Sequence, residues 1–351
     1  CDRRQRQMCI RDRYGGSVAD VVRSVVFGYD VCTRMAMLAI DRIRELGLHN
    51  PGFVGGLGAV AAAGLMRGLS LDQLCNAFGI AAALLPVCPF VSFVEGADTK
   101  DLYGGWGVHL AMFAVDAAQR GLTGAEHVLD GIKSLNTVFQ GDAGKEIALG
   151  EPYLINWLSI KQYPACFAVN PAVNAAFALQ EKYNIDTAEI ESVLVDSYPY
   201  SYDLNNGVGR DPNTTSGRLS LYYTVAVALI ERSLTPDAFT AEKLKDPKYA
   251  ELRGKITAKR HDAYGDGPKG IRACILEVYM KDGRVYQTEY NATDVHVVYS
   301  DEMLYEKYCG LTRDALAPDQ QRDLYDYAMA LTKQENLSYL LNMMRRLPKI
   351  R

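Results

Sequence analysis

The chain lacks the basic excess that a nucleic-acid surface needs. Lys and Arg number 38 against 42 Asp and Glu in 351 residues, a formal net charge of −4, so no phosphate-tracking footprint is expected. Its eight cysteines, at 1, 9, 32, 75, 88, 166, 274 and 309, include no CxxC pair. Scattered through apolar stretches, they predict reduced, buried thiols in a cytosolic protein rather than a disulfide framework. The five histidines, at 49, 109, 127, 261 and 296, show neither HxxxH nor HxH spacing, which gives a local metal cluster no support. No secretory signal is expected either, because the opening "CDRRQRQMCIRDRYGG" is basic and has no apolar segment. That opening fits nothing after it, and residues 1–14 read as a non-native leader joined to a chain that begins within a domain. The longest uncharged run, "QLCNAFGIAAALLPVCPFVSFV" over 73–94, has the length of a membrane span. Pro86 and Pro89 interrupt it, Asn76 and Ser92 lie inside it, and no basic flank follows. It predicts a buried helix ending by Leu85 and then an apolar loop, with no membrane segment. No internal repeat or low-complexity linker is present.

What remains is a chain long enough for about two domains with sizeable cores. Residues 15–157 read as helices joined by short glycine turns. "SVADVVRSVVFGYDVCTRMAMLAIDRI" has apolar residues at helical spacing behind Ser17 as an N-cap. "GFVGGLGAVAAAGLMRG" is so rich in Gly and Ala that it must pack tightly against neighbours or a ligand, and Ser70 and Gln73 have capping-box spacing. Glycines 55, 56 and 58 lack the strand-then-helix context of a nucleotide fingerprint. His109, on the apolar helix that Gly121 closes, reads as a core histidine. Residues 158–300 alternate. "NPAVNAAFALQEKYN" and "LYYTVAVALIERS" predict helices, "IESVLVDSYPYSY" is strand-like with its tyrosines 198–202 packing a strand, and "KLKDPKYAELRGK" reads as a solvated helix. "ACILEVYMKDGRVYQTEYNAT" predicts a β-hairpin turning at Lys281, Asp282 and Gly283. From 301 onward helices return, with Leu324, Tyr327, Leu331, Leu337, Leu340 and Met344 as an inner face. The expected class is therefore mainly α, a large helical domain with a smaller α+β domain.

One lysine stands out. In "GADTKDLYGGWG", Lys100 sits between Asp98 and Asp101 at a helix start crowded by glycines. It is either a solvated partner of those aspartates or a cation for an anionic ligand whose walls come close.

Several motifs in this order resemble the MmgE/PrpD family: "GYDV" (28–31), "LHNPGFVGGLGAVAAAGLMRGLSLDQLCNAFGIAAA" (48–83), "EGADTKDLYGG" with "AAQRGLTG" (95–124), "IKQYPACFAVNPAVNAA" (160–176) and "GRLSLYYTVAVAL" (217–229). The resemblance spans about residues 17–345. It implies a helical domain to which the C-terminal helices over 301–351 return, a smaller α+β lid domain over 158–300, and a homodimer. It also implies cofactor-free chemistry on a small polycarboxylate in a cleft between the domains, without nucleic acid or membrane. Members include 2-methylcitrate dehydratase, cis-aconitate decarboxylase and an iminodisuccinate epimerase. By the resemblance His49, Lys100 and Tyr202 are catalytic, and Lys161, Tyr163, Asn170 and Tyr103 bind substrate. Each residue also has a structural reading. His49 could cap a neighbouring helix, and Lys161 with Tyr163 could shape the domain crossover through Pro164.

Two departures and one gap accompany the match. Tyr103 stands where many relatives have histidine, and Asn170 replaces the histidine of the second domain, giving a hydrogen-bonding group that cannot shuttle a proton at neutral pH. The family's upstream Asn-Gly…His…Asp-Asp segment is expected before residue 17 and is not seen there, so the chain reads as N-terminally truncated. The chemistry itself requires fixed cations and donors for charge that develops beside a carboxylate, and a group titrating near neutrality. Dehydration of a 2-methylcitrate-like acid is the expected reaction. Decarboxylation, epimerisation and a non-catalytic, diverged or truncated member are the alternatives.

Overall fold

The structure, a computed structural model, describes residues 17–139, 150, 152–206, 208, 212–265, 271–292, 299–334 and 336–346. The leader expected over 1–14 and His296 lie outside them. Among the described residues helices dominate, with one four-stranded sheet, so the predicted class holds. Among the described residues no helix is long and apolar enough to cross a membrane. The chain divides into two compact units. One holds the chain up to Phe90, Asp101–Leu158 and the chain from Tyr299; the other holds Val91–Lys100 and Ser159–Val298. Lys100 is therefore the last residue of a segment that belongs with the second unit, and the chain rejoins the first at Asp101.

In the first unit, Ser17 caps the Val18–Glu45 helix, its hydroxyl accepting the Asp20 N–H while the Asp20 carboxylate accepts the Ser17 N–H. Ser70 and Gln73 form the same reciprocal box on Leu71–Ala83. The Gly/Ala-rich helix is Asn50–Met66, and its glycines serve neighbouring helices. A Cβ on Gly58 would lie 2.6 Å from the Gly28 carbonyl oxygen and 2.7 Å from Cys32 Cβ, so these two helices touch backbone to backbone. Gly107 of the Thr99–Gln119 helix meets Gly56 in the same way. Arg34 and Asp30 form a buried ion pair at 2.7 Å. Asp30 also accepts the Leu154 N–H, and Arg34 donates to the Gly150 and Pro152 carbonyls. Burial pushes the Asp30 carboxyl up, yet Arg34 and the Leu154 N–H outweigh it and hold it below its ordinary range.

Several expectations are corrected here. His109 is not a core residue. The Thr99–Gln119 helix buries Gly107, Leu110, Ala111, Ala114 and Ala118, and its opposite face exposes His109 stacked on Trp106, ring centroids 5.4 Å apart. Cys75 is exposed rather than buried, while Cys88 and Cys274 are buried. The final helical pattern is broken into Pro318–Met329 and Ser338–Arg346. Leu337 and Leu341 pack on Val18, and Leu341 and Met343 supply the buried positions near the end; the Met344 side chain is outside the described set.

The second unit is a sheet of order β2-β1-β3-β4, with β1 Ile190–Ser197, β2 Ile256–Arg260, β3 Ala273–Met280 and β4 Val285–Asn291. β1 and β2 are parallel; β1–β3 and β3–β4 are antiparallel. The expected hairpin turns at Lys281–Arg284 with Gly283 at φ +85°. Burial alternates along β3, so Leu276, Val278 and Met280 face Val173, Leu179 and Val225 of the covering helices Asn170–Tyr183 and Leu221–Glu231. Gln180 donates to the Ile185 and Leu229 carbonyls and joins those helices. Tyrosines 198–202 do not continue the strand: Pro199 starts the Pro199–Asn205 helix, with Tyr198 extended ahead of it. The charged stretch is likewise two helices, Ala241–Lys245 and Pro247–Gly254, because Asp246 caps the second and Pro247 cannot continue the first; Tyr249 and Leu252 are buried.

Candidate functional site

In the first unit the fold brings His49 and Tyr103 together. His49 precedes the Asn50–Met66 helix in extended conformation, and its side chain makes no capping bond. Its backbone N–H donates to the Cys88 carbonyl at 2.7 Å. The ring meets Phe90 edge-on at 5.4 Å and Tyr103 at 5.6 Å. The Tyr103 hydroxyl donates to the Pro89 carbonyl at 2.9 Å. Gly52 lies beneath, where a Cβ would come within 2.6 Å of Cys88 Sγ and 3.3 Å of Tyr103 Cβ. The cluster is close because residue 52 has no side chain.

In the second unit Lys100 and Lys161 share a neighbourhood with Cys166. Lys100 is half-buried, its Nζ 4.9 Å from the centre of the Phe93 ring. Lys161 donates to the Ala165 carbonyl at 3.0 Å. Burial pushes the Lys161 ammonium below the ordinary lysine value, the Cys166 thiol draws it back, and the charge of Lys100 lowers it further. Burial raises the Cys166 thiol, against the Ala168 N–H and the two lysines. A lysine that loses solvent while a second lysine's charge acts on it makes a place where an anion is favoured. In the sequence Cys166 is only one of the scattered thiols. Its place five residues after Lys161 is the one signal in the sequence that it shares this site.

Asn170, first residue of the Asn170–Tyr183 helix, is 6 % exposed, and its Oδ1 has no hydrogen-bond partner among the described residues. Such a group costs about 1–3 kcal/mol if nothing meets it. It lines a pocket with Gln162, Phe167, Tyr198, Arg272 and Tyr290. The Arg272 guanidinium lies 5.4 Å from the centre of the Phe167 ring. Of the seven predicted site residues only Asn170 walls this pocket. The Tyr163 hydroxyl instead donates to Asn174 Oδ1 at 2.6 Å and its ring packs on Phe177, and Tyr202 is half-buried on the Pro199–Asn205 helix. Arg272 and Tyr198 were not picked from the sequence, since only the sheet brings their strand ends beside Asn170.

A second cluster also escaped the sequence. His261 Nδ1 lies 2.8 Å from Asp196 Oδ2, which Lys259 also approaches at 3.3 Å, and the His261 ring packs on Tyr264 at 4.1 Å. The parallel register of β1 on β2 places Asp196 against Lys259 and close to His261.

Two family models match the chain. That of the MmgE/PrpD N-terminal domain covers residues 6–148, and that of the MmgE/PrpD C-terminal domain covers residues 163–333. No curated protein matches it. With both domain models matched in order over most of its length, the chain belongs to the MmgE/PrpD family, which includes 2-methylcitrate dehydratase-like enzymes.

Proposed function

We propose that the protein is a cofactor-independent lyase for a small di- or tricarboxylate, with hydro-lyase activity like that of 2-methylcitrate dehydratase. The observation that carries the reading is the pairing of Lys100 with Lys161 beside Cys166. A carboxylate placed between the two ammonium groups removes their mutual repulsion. The same cations then stabilise the negative charge that builds when a neighbouring carbon loses its proton. His49 is the group proposed to move that proton, since an imidazole titrates near neutrality. Asn170 orients a substrate hydroxyl through its buried amide and takes no part in proton transfer. Tyr103, Tyr163 and Tyr202 keep secondary roles in this reading, and a homodimer in the cytosol is proposed with it.

The test is binding and turnover over a panel of hydroxy-, unsaturated and amino-polycarboxylates, following water loss by absorbance of the new double bond. A charged hydrogen bond contributes about 1.5–3 kcal/mol, so Lys100→Ala should weaken citrate by roughly tenfold or more. Equal affinity for citrate before and after that change would refute the lysine role. Carbon dioxide release or epimerisation without water loss would move the protein to the decarboxylase or epimerase branch. Binding with no turnover on any acid would leave a non-catalytic carboxylate binder.

A further inference from the structure

The two lysines come from segments 61 residues apart in sequence, Lys100 and Lys161, and one turn holds both segments. Asn213 sits at its start. The Asn213 Oδ1 accepts the N–H groups of Thr215 at 3.0 Å and Ser216 at 2.8 Å, which locks the turn. The Asn213 Nδ2 donates to the Gly96 carbonyl at 3.2 Å and towards that of Glu95 at 3.4 Å, and Thr215 Oγ1 reaches Asp98 at 3.4 Å. Gly96 has φ +75°, and a Cβ there would collide with the Asn213 amide, so the segment leading to Lys100 is seated against the turn. At the other end of the turn the Arg218 carbonyl accepts the Cys166 N–H at 2.7 Å, which fixes the segment carrying Lys161.

We infer that Asn213 is a positioning residue that, through the 213–218 turn, sets Lys100 against Lys161. This rests on the lysine reading of the site. It adds that the spacing of the pair is imposed by the bracket that the 213–218 turn makes with the two segments. Asn213→Asp is the sharpest probe. An aspartate keeps the acceptor that locks the turn, but it replaces the donor facing Gly96 with an oxygen that repels the carbonyls. The turn survives and the clasp on the Lys100 segment opens.

Citrate binding to the whole chain is measured by calorimetry across pH for wild type, Asn213→Asp, Lys100→Ala and the double variant. Asn213→Asp is expected to weaken citrate roughly tenfold, in line with loss of a charged contact. The double variant is expected to bind no worse than Lys100→Ala alone, because both changes act through one contact. With Lys100 displaced, Lys161 is relieved of a neighbouring charge, so the alkaline limit of binding should move to higher pH. In Gly96→Ala, which adds no charge, a merely structural role would not move that limit. Gly96→Ala attacks the clasp from its other side and must reproduce the shift, which keeps the test decisive if Asn213→Asp folds poorly. Wild-type affinity in Asn213→Asp, or additive losses in the double variant, would overturn the inference. Failure of Lys100→Ala to weaken citrate would instead strike the lysine reading on which it rests.

Discussion

Two glycines three residues apart on one helix should respond to the same change with opposite sign. A Cβ added at Gly55 meets nothing within 4 Å. Gly55→Ala then gains helix propensity and loses unfolded-chain freedom, stabilising by about 0.4–1 kcal/mol. Gly58→Ala gains the same propensity, but its Cβ falls 2.6 Å from the Gly28 carbonyl oxygen and 2.7 Å from Cys32 Cβ, well inside the 3.4 Å at which ordinary contact begins. Neither obstacle is the end of a flexible side chain. The helices Val18–Glu45 and Asn50–Met66 must part, and a gap of 0.5–1 Å forfeits about a quarter to a half of each facing contact. Overpacking of this kind costs about 1–3 kcal/mol, and because the propensity gain is common to both changes it cancels, so the two variants should differ by about 1–3 kcal/mol. Thermal unfolding followed by circular dichroism at a helix band measures it, with Gly55→Ala melting above wild type and Gly58→Ala several degrees below. A Gly58→Ala protein that melts at or above wild type would refute the backbone-to-backbone crossing.

Further outcomes follow from the same geometry. Asp30→Ala leaves Arg34 buried without its carboxylate and should destabilise by about 3–5 kcal/mol, measured by urea unfolding. Because the Asp30 carboxyl is held below its ordinary value, its contribution is full above about pH 4 and is lost as pH falls towards the lower folded value; wild type and Asp30→Ala should therefore converge in stability under acid. Among the described thiols, Cys75 should react with a disulfide reagent at once in the native protein, whereas Cys274, buried and with its thiol pushed well up, should react only after unfolding. Asn170→His, which restores a titratable group but puts a bulkier ring in a buried position, should slow turnover of the preferred substrate; faster turnover would mean that Asn170 is decay rather than a reassigned donor.

Much of this protein was determined by local sequence chemistry. Ser17 and Ser70 start the helices that follow them, because each hydroxyl satisfies an orphan N–H three residues on. The alternation along "ACILEVYM" and the Lys281–Asp282–Gly283 turn fix the hairpin. Five motifs in order were enough to indicate the family. Where the sequence misled, a local break or an unseen partner was the cause. Pro199 turned a strand-like tyrosine run into a helix, Pro247 split a charged one, and the choice of Gly107 as the packed face turned His109 outward. The site depended on tertiary structure still more. Which neighbour each glycine of the Asn50–Met66 helix admits, that Lys100 shares the surroundings of Lys161 and Cys166, and that Arg272 stands beside Asn170 all depend on residues remote in sequence. Periodicity and spacing report which face of an element is apolar. They carry no information on which distant segment comes to lie against it, and a pair of lysines becomes a binding site only when a fold holds both charges in one partly desolvated place.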